Sequence, residues 1–163
     1  MDARISLRHS AYLGLIALQL LSGGCSETPA EHGIALALEE ITVALEERQS
    51  GAVMAHLHEN FHSNGPRGGM DRKQVHKVLL ATFYRHKNIS VAVTNLQVQP
   101  DSMNKDRADA TFNVFTTGGS GGLLPNTGQI YRVTSQWQKL DTWPGNGDWQ
   151  LLSLNAKRAL DGS

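Results

Sequence analysis

Helical periodicity and strand alternation occupy separate parts of this chain, and that order limits the fold more than any other feature of the sequence. Once about two dozen residues at the start are set aside, apolar residues recur three or four apart before Lys87 and alternate after it. Helices first and strands last predict an α+β domain, with the helices gathered on one face of an antiparallel sheet.

The helical part divides into three. Thr28, Pro29 and Glu31 supply an N-cap, a first-turn proline and a capping-box partner. Ile34, Leu38, Ile41 and Leu45 then recur at spacings of four, three and four, with Glu39, Glu40, Glu46, Glu47 and Arg48 off that stripe, as in an amphipathic helix. Ser50 and Gly51 stop this helix and start a shorter one, in which Val53 and Leu57 share a face before the chain leaves through Phe61. Asn64, Gly65, Pro66, Gly68 and Gly69 read as a loop. Asp71 with Gln74 is a second capping box, opening a third helix with Val75, Val78, Leu79, Thr82 and Phe83 on one side.

From Ile89 the period is two. Ile89, Val91 and Val93 alternate with Ser90, Ala92 and Thr94, and the run continues through Leu96 and Val98 to a turn spanning Pro100 to Lys105. Ala108, Ala110, Phe112 and Val114 alternate with Arg107, Asp109, Thr111 and Asn113 along a second strand. A connection with Gly118, Gly119, Gly121 and Gly122 follows. It could cradle a phosphate only if it opened a helix, which Leu124, Pro125 and Asn126 oppose, so it reads as a strand connection. Tyr131, Val133, Ser135 and Trp137 alternate along a third strand, and a turn with Pro144, Gly145, Asn146 and Gly147 returns the chain into Trp149 to Ala156. Trp143 falls in that turn, where it would be exposed to a partner or membrane surface.

Charge and length narrow the classes of function. Lys plus Arg equals Asp plus Glu at 15 each, so no global field draws the chain to nucleic acid. With 163 residues, 40% of them hydrophobic, there is material for one domain with a core. Arg4 and Arg8 precede the apolar run Ala11 to Leu21, which is too short for a bilayer core of about 30 Å and reads as an export signal. The run ends at Ser22, Gly23, Gly24 and Cys25, which resembles the lipobox of bacterial lipoproteins, in which small residues precede an acylated cysteine. Ser22 stands where that motif usually has Leu, and Leu21 lies one place further away.

Cys25 is the only cysteine, so lipidation would account for an odd thiol in an exported chain. The lipobox implies a membrane partner through a lipid anchor in the bacterial cell envelope. Ser26 resembles the sorting pattern for the periplasmic face of the outer membrane. The alternative is a soluble, secreted or periplasmic protein cleaved after Ala30, where Thr28, Pro29 and Ala30 offer a site.

The long first helix, the short second helix ending in Leu57 to Phe61, the third helix and the closing pair Tyr131 to Leu140 and Gly147 to Leu154 resemble the nuclear transport factor 2-like superfamily. Ketosteroid isomerase, scytalone dehydratase and the SnoaL-type polyketide cyclases share that fold. The resemblance implies three helices packed on a strongly curved antiparallel sheet, a cystatin-like cone. Together with the export signal and lipobox, it divides the chain into a signal peptide at 1–24, a linker at 25–31 after the lipidated cysteine, the cone domain at 32–157 and a tail at 158–163. A homodimer through the outer sheet face is a further implication.

The superfamily's enzymes place an Asp or an Asp/His pair inside the cone, because enolisation and dehydration need a desolvated base. This chain departs from that pattern, with Asn64, Gly65 and Pro66 where the general-base Asp would follow and no acid between Tyr131 and Gln138. Pocket candidates are Phe61, His62, Phe83, Phe112, Tyr131 and Trp137, with His62 the best single catalytic candidate.

His58, Glu59 and His62 spell H-E-x-x-H, which on a helix would aim two imidazoles at zinc. The third ligand of the longer pattern would fall at Gly68, and Ser63 to Pro66 end any helix. The match is therefore read as chance, with no metal or other cofactor expected, and Leu57 and Phe61 turned inward. His32, His76 and His86 sit among charged neighbours and read as solvated, and Arg107 and Asp109 as an exposed strand face. The expected function is non-catalytic binding of a small apolar ligand or a protein partner. A small isomerase, dehydratase or hydrolase is the alternative, and a structural dimerisation module the second.

Overall fold

The computed structural model describes residues 29–65, 68–117, 129–140 and 148–159. The elements in chain order are α1 (Pro29–Glu46), α2 (Ser50–Ala55), β1 (Leu57–Gly65), β2 (Gly68–Asp71), α3 (Arg72–Arg85), β3 (Ser90–Pro100), β4 (Arg107–Thr117), β5 (Gln129–Lys139) and β6 (Trp149–Arg158). One six-stranded sheet has the order β2-β1-β6-β5-β4-β3. The fold is α+β as the sequence implies, with two differences. β1 and β2 lie between α2 and α3, and β1 runs parallel to β6, so the sheet is mixed.

The segment from Leu57 to Phe61 is thus a strand and not the end of the second helix. α2 closes at His56, whose N–H donates to the Val53 and Met54 carbonyls. Leu151 N–H donates to His56 O at 2.8 Å, which draws the chain onto β6. Arg72 completes the junction, donating from Nη2 to Met54 O at 2.9 Å and from Nε to Leu57 O at 3.2 Å. A cation at a helix C-terminus satisfies carbonyls that the helix leaves open. Along β1 the register slips between Leu57 and His62, where Asn60 N–H donates to His58 Nδ1 at 3.1 Å. That bulge removes the alternation by which a strand is recognised.

The other elements follow their local signals. Asp71 caps α3 reciprocally, its Oδ1 accepting from Gln74 N–H at 2.7 Å while Gln74 Oε1 accepts from Asp71 N–H at 2.9 Å. In β3, Asn95 has φ 55 and the register shifts between Thr94 and Gln97. This bulge absorbs one residue, which explains why the apolar set changes phase from Val91 and Val93 to Leu96 and Val98. α1 lies against the sheet through Ile34, Ala37 and Leu38, and a Cβ on Gly33 would collide with the Trp149 ring. Its last residue, Glu46, accepts from Ser90 Oγ at 3.2 Å and Val91 N–H at 3.0 Å, satisfying part of the edge strand β3.

One face of the sheet carries the core. At one end the rung Pro100, Ala108, Trp137, Leu151 and Leu57 lies under the helices, and Trp137 is 0% exposed. Its indole N–H donates to Ser135 Oγ at 2.9 Å, and that hydroxyl donates to Ala110 O at 3.1 Å, so both buried polar groups are satisfied. Among the described residues no helix is long and apolar enough to cross a membrane.

Candidate functional site

Burial falls off along the helix-covered face from the Trp137 rung. Phe112 and Val133 form the next ring-bearing rung and are buried, but Ala156 beside them is only half-buried. One rung further, Val93, Val114 and Tyr131 are half-buried and Arg158 is exposed. Val93, Val114, Leu154, Ala156 and Met70 pack against the core without being enclosed by it. Among the described residues the inner face is therefore covered at the Trp137 end and less covered at the other on the β5–β6 side, while Val91 and Thr116 on the β3–β4 side stay buried. An open apolar surface flanked by a phenol and a guanidinium is the arrangement expected of a ligand seat.

Next to this opening lies Thr116, opposite Val91 in register. It is 2% exposed, and its Oγ1 has no hydrogen-bond partner. A buried hydroxyl without a partner costs stability, so its retention calls for a reason. Thr116 went unremarked in the sequence, yet it continues the inward-facing series Phe112 and Val114 as the one polar member. Arg158, which the sequence places in the tail, pairs with Tyr131 as the last residue of β6.

The six pocket candidates separate. Phe61, Phe83, Phe112 and Trp137 are buried in the core, and Tyr131 is half-buried at its open end. His62 is exposed on the opposite face, in a rung with Ser153, Gln136 and Asp109. The H-E-x-x-H residues lie on β1. His58 is buried, while Glu59 and His62 are exposed, so strand geometry and not one helical face sets their directions. No group of three or more His, Cys, Asp or Glu able to hold a metal occurs among the described residues. His86, read as solvated, is 9% exposed; it is the C-cap of α3, its backbone N–H donating to Thr82 O at 2.9 Å. Cys25, the glycine connection and Trp143 lie outside the described residues.

Carboxylates are the groups that acid-base chemistry in a cone would need. Among the described strand residues they are Glu59, Asp71 and Asp109, and all three are exposed.

This helix-and-sheet arrangement has close counterparts among solved structures. A proposed dehydratase of the nuclear transport factor 2-like family from Streptomyces avermitilis superposes with TM-score 0.65 at 18% identity, covering 82% of this chain and 99% of its own. A protein of unknown function with a cystatin-like fold from Nostoc punctiforme gives 0.64 at 14% identity, with 82% and 95% covered. The fold is the nuclear transport factor 2-like cone. A hexachlorocyclohexane dehydrochlorinase of LinA type 3 from Novosphingobium barchaimii has the same cone, with TM-score 0.61, 15% identity and coverage of 80% and 86%. No family model and no curated protein sequence matches the chain. The nuclear transport factor 2-like cone thus accommodates this sequence at identities that speak for architecture alone.

Proposed function

We propose that this chain is a lipid-anchored cell-envelope protein, held by Cys25, whose cone binds a small, largely apolar ligand without transforming it. The observation that carries the reading is the composition of the open end. Half-buried Val114, Leu154 and Ala156 form an apolar seat, the buried Thr116 hydroxyl beside it has no partner, and every described strand carboxylate is exposed. A seat of this kind can hold and orient a molecule, but among the described strand residues it has no desolvated carboxylate to abstract a proton. The dehydratase and dehydrochlorinase neighbours show what else the same architecture hosts in other proteins, and the alternative of a small isomerase, dehydratase or hydrolase rests on them alone.

Native mass spectrometry of the protein extracted from its own envelope tests the reading. The expected spectrum shows acylated chain plus one non-covalent small molecule, released on unfolding. Acylation is lost in Cys25→Ser. Protein without an adduct would contradict ligand binding, and label from a radioactive fatty acid persisting in Cys25→Ser would remove the anchor.

A further inference from the structure

Two outward stripes of the helix layer match each other in spacing and oppose each other in charge. On α1, Leu36, Glu40 and Val43 continue into Glu47 at spacings of four, three and four, on the side away from the buried Ile34, Ala37 and Leu38. A cleft of about 390 Å³ opens between this stripe and α2, lined by Leu36, Glu39, Glu40, Val43, Glu47 and His56 among others. Leu36 and Val43 are each 47% exposed, so the cleft has apolar walls and an acidic rim. α1 carries no Lys or Arg. Glu40 meets His56 Nε2 at 3.3 Å, and Glu47 accepts from the Gln49 amide at 2.7 Å.

On α3, Lys73, Lys77, Leu80 and Tyr84 recur at the same four, three and four. All are exposed, Leu80 by 51% and Tyr84 by 91%. Arg72 to Lys87 includes no acid, and among the described residues Lys73 and Lys77 meet no carboxylate. Each stripe also holds a charge at the helix end that disfavours it. Glu47 follows the C-terminus of α1 and Lys73 lies in the first turn of α3, where the macrodipole opposes each unless a counter-charge is near.

The two helices run in one general direction. α1 begins where Gly33 lies against the Trp149 ring and ends with Glu46 on Ser90. α3 begins beside Leu57, to whose carbonyl Arg72 donates, and ends shortly before β3 opens at Ser90. α2 packs against both.

We propose that two copies of this chain associate face to face through these helices, the α3 stripe of each seated in the α1 cleft of the other. A two-fold axis along the helices exchanges α1 with α3 and keeps their direction, so the equal spacings fall into register. Glu40 then meets Lys77 of the second copy, Val43 meets Leu80, Glu47 accepts from the Tyr84 hydroxyl, and Leu36 lies under the Lys73 stem. The contact occurs twice in each pair. Charge selects a second copy over an anionic bilayer or nucleic acid, either of which would meet Glu39, Glu40 and Glu47 in the same helix layer as the lysines.

Sedimentation velocity of the full chain tests this, with the stripes reversed separately as Glu40→Lys with Glu47→Lys and as Lys73→Glu with Lys77→Glu. All four sites are exposed, and the changes at Glu47 and Lys73 suit the macrodipole, so circular dichroism should show folded variants. The wild type is expected to form a dimer that weakens about tenfold when salt rises from about 0.05 M to about 0.5 M. Each reversed variant alone should self-associate at least about tenfold more weakly, because like charges then face each other at both contacts. An equimolar mixture of the two should restore the dimer, since one contact is native and the other has both signs exchanged. A monomeric wild type, a dimer that either reversal leaves intact, or a mixture no tighter than its components would overturn the proposal. Ligand retention in the cone is read separately by native mass spectrometry and does not depend on this result.

Discussion

The two ends of the inner sheet face are built from the same alternation but finished differently. At the Trp137 end Ala108, Trp137, Leu151 and Leu57 are all apolar and buried, and the one indole N–H is satisfied by Ser135, itself bonded to Ala110 O. At the Tyr131 end the rung is half-buried, and the polar group beside it, Thr116 Oγ1, is left without a partner. The first end is finished for stability. The second keeps apolar area open and a hydroxyl unpaired, costs that a folded protein retains where something else supplies the missing contacts.

Substitutions can break or sharpen that contrast. Trp137→Ala should lower the unfolding free energy by about 3–5 kcal/mol in urea titration, whereas Val114→Ala, at the half-buried end, should cost about 1 kcal/mol or less. Equal losses at the two positions would show that both ends are packed alike. Ser135→Ala should cost about 1–3 kcal/mol, because it strands the Trp137 indole N–H in the core. At the other end the sign reverses. Thr116→Val keeps the shape and removes an unsatisfied hydroxyl, so the ligand-free protein should gain about 1 kcal/mol while losing ligand retention. A destabilised Thr116→Val would mean that the hydroxyl already has a structural partner.

How much of this was legible in the sequence depends on how local the cause is. α1 and α3 announce themselves through periodicity and, for α3, through the Asp71–Gln74 capping box that the structure reproduces atom for atom. β4 and β5 follow from alternation, and β6 from the turn that returns the chain into Trp149. β1 was not legible, because its bulge between Leu57 and His62 destroys the period and its partner, β6, lies far along the chain. Missing β1 also misplaced His62. One residue along a strand turns a side chain to the other face, so Phe61 is in the core while His62 is outside. Thr116 could be read as an inward-facing polar residue, but whether a hydroxyl finds a partner depends on tertiary neighbours that no local pattern encodes.

The central claim is that the open end of the cone is a seat for an apolar ligand. The direct measurement is calorimetric titration with 1-anilinonaphthalene-8-sulfonate on the wild-type chain and on Ala156→Trp, which fills the opening from β6, with circular dichroism to confirm the fold. The account predicts one probe bound per wild-type chain and none in Ala156→Trp. Absence of binding to the wild type, or undiminished binding to the filled variant, would contradict it.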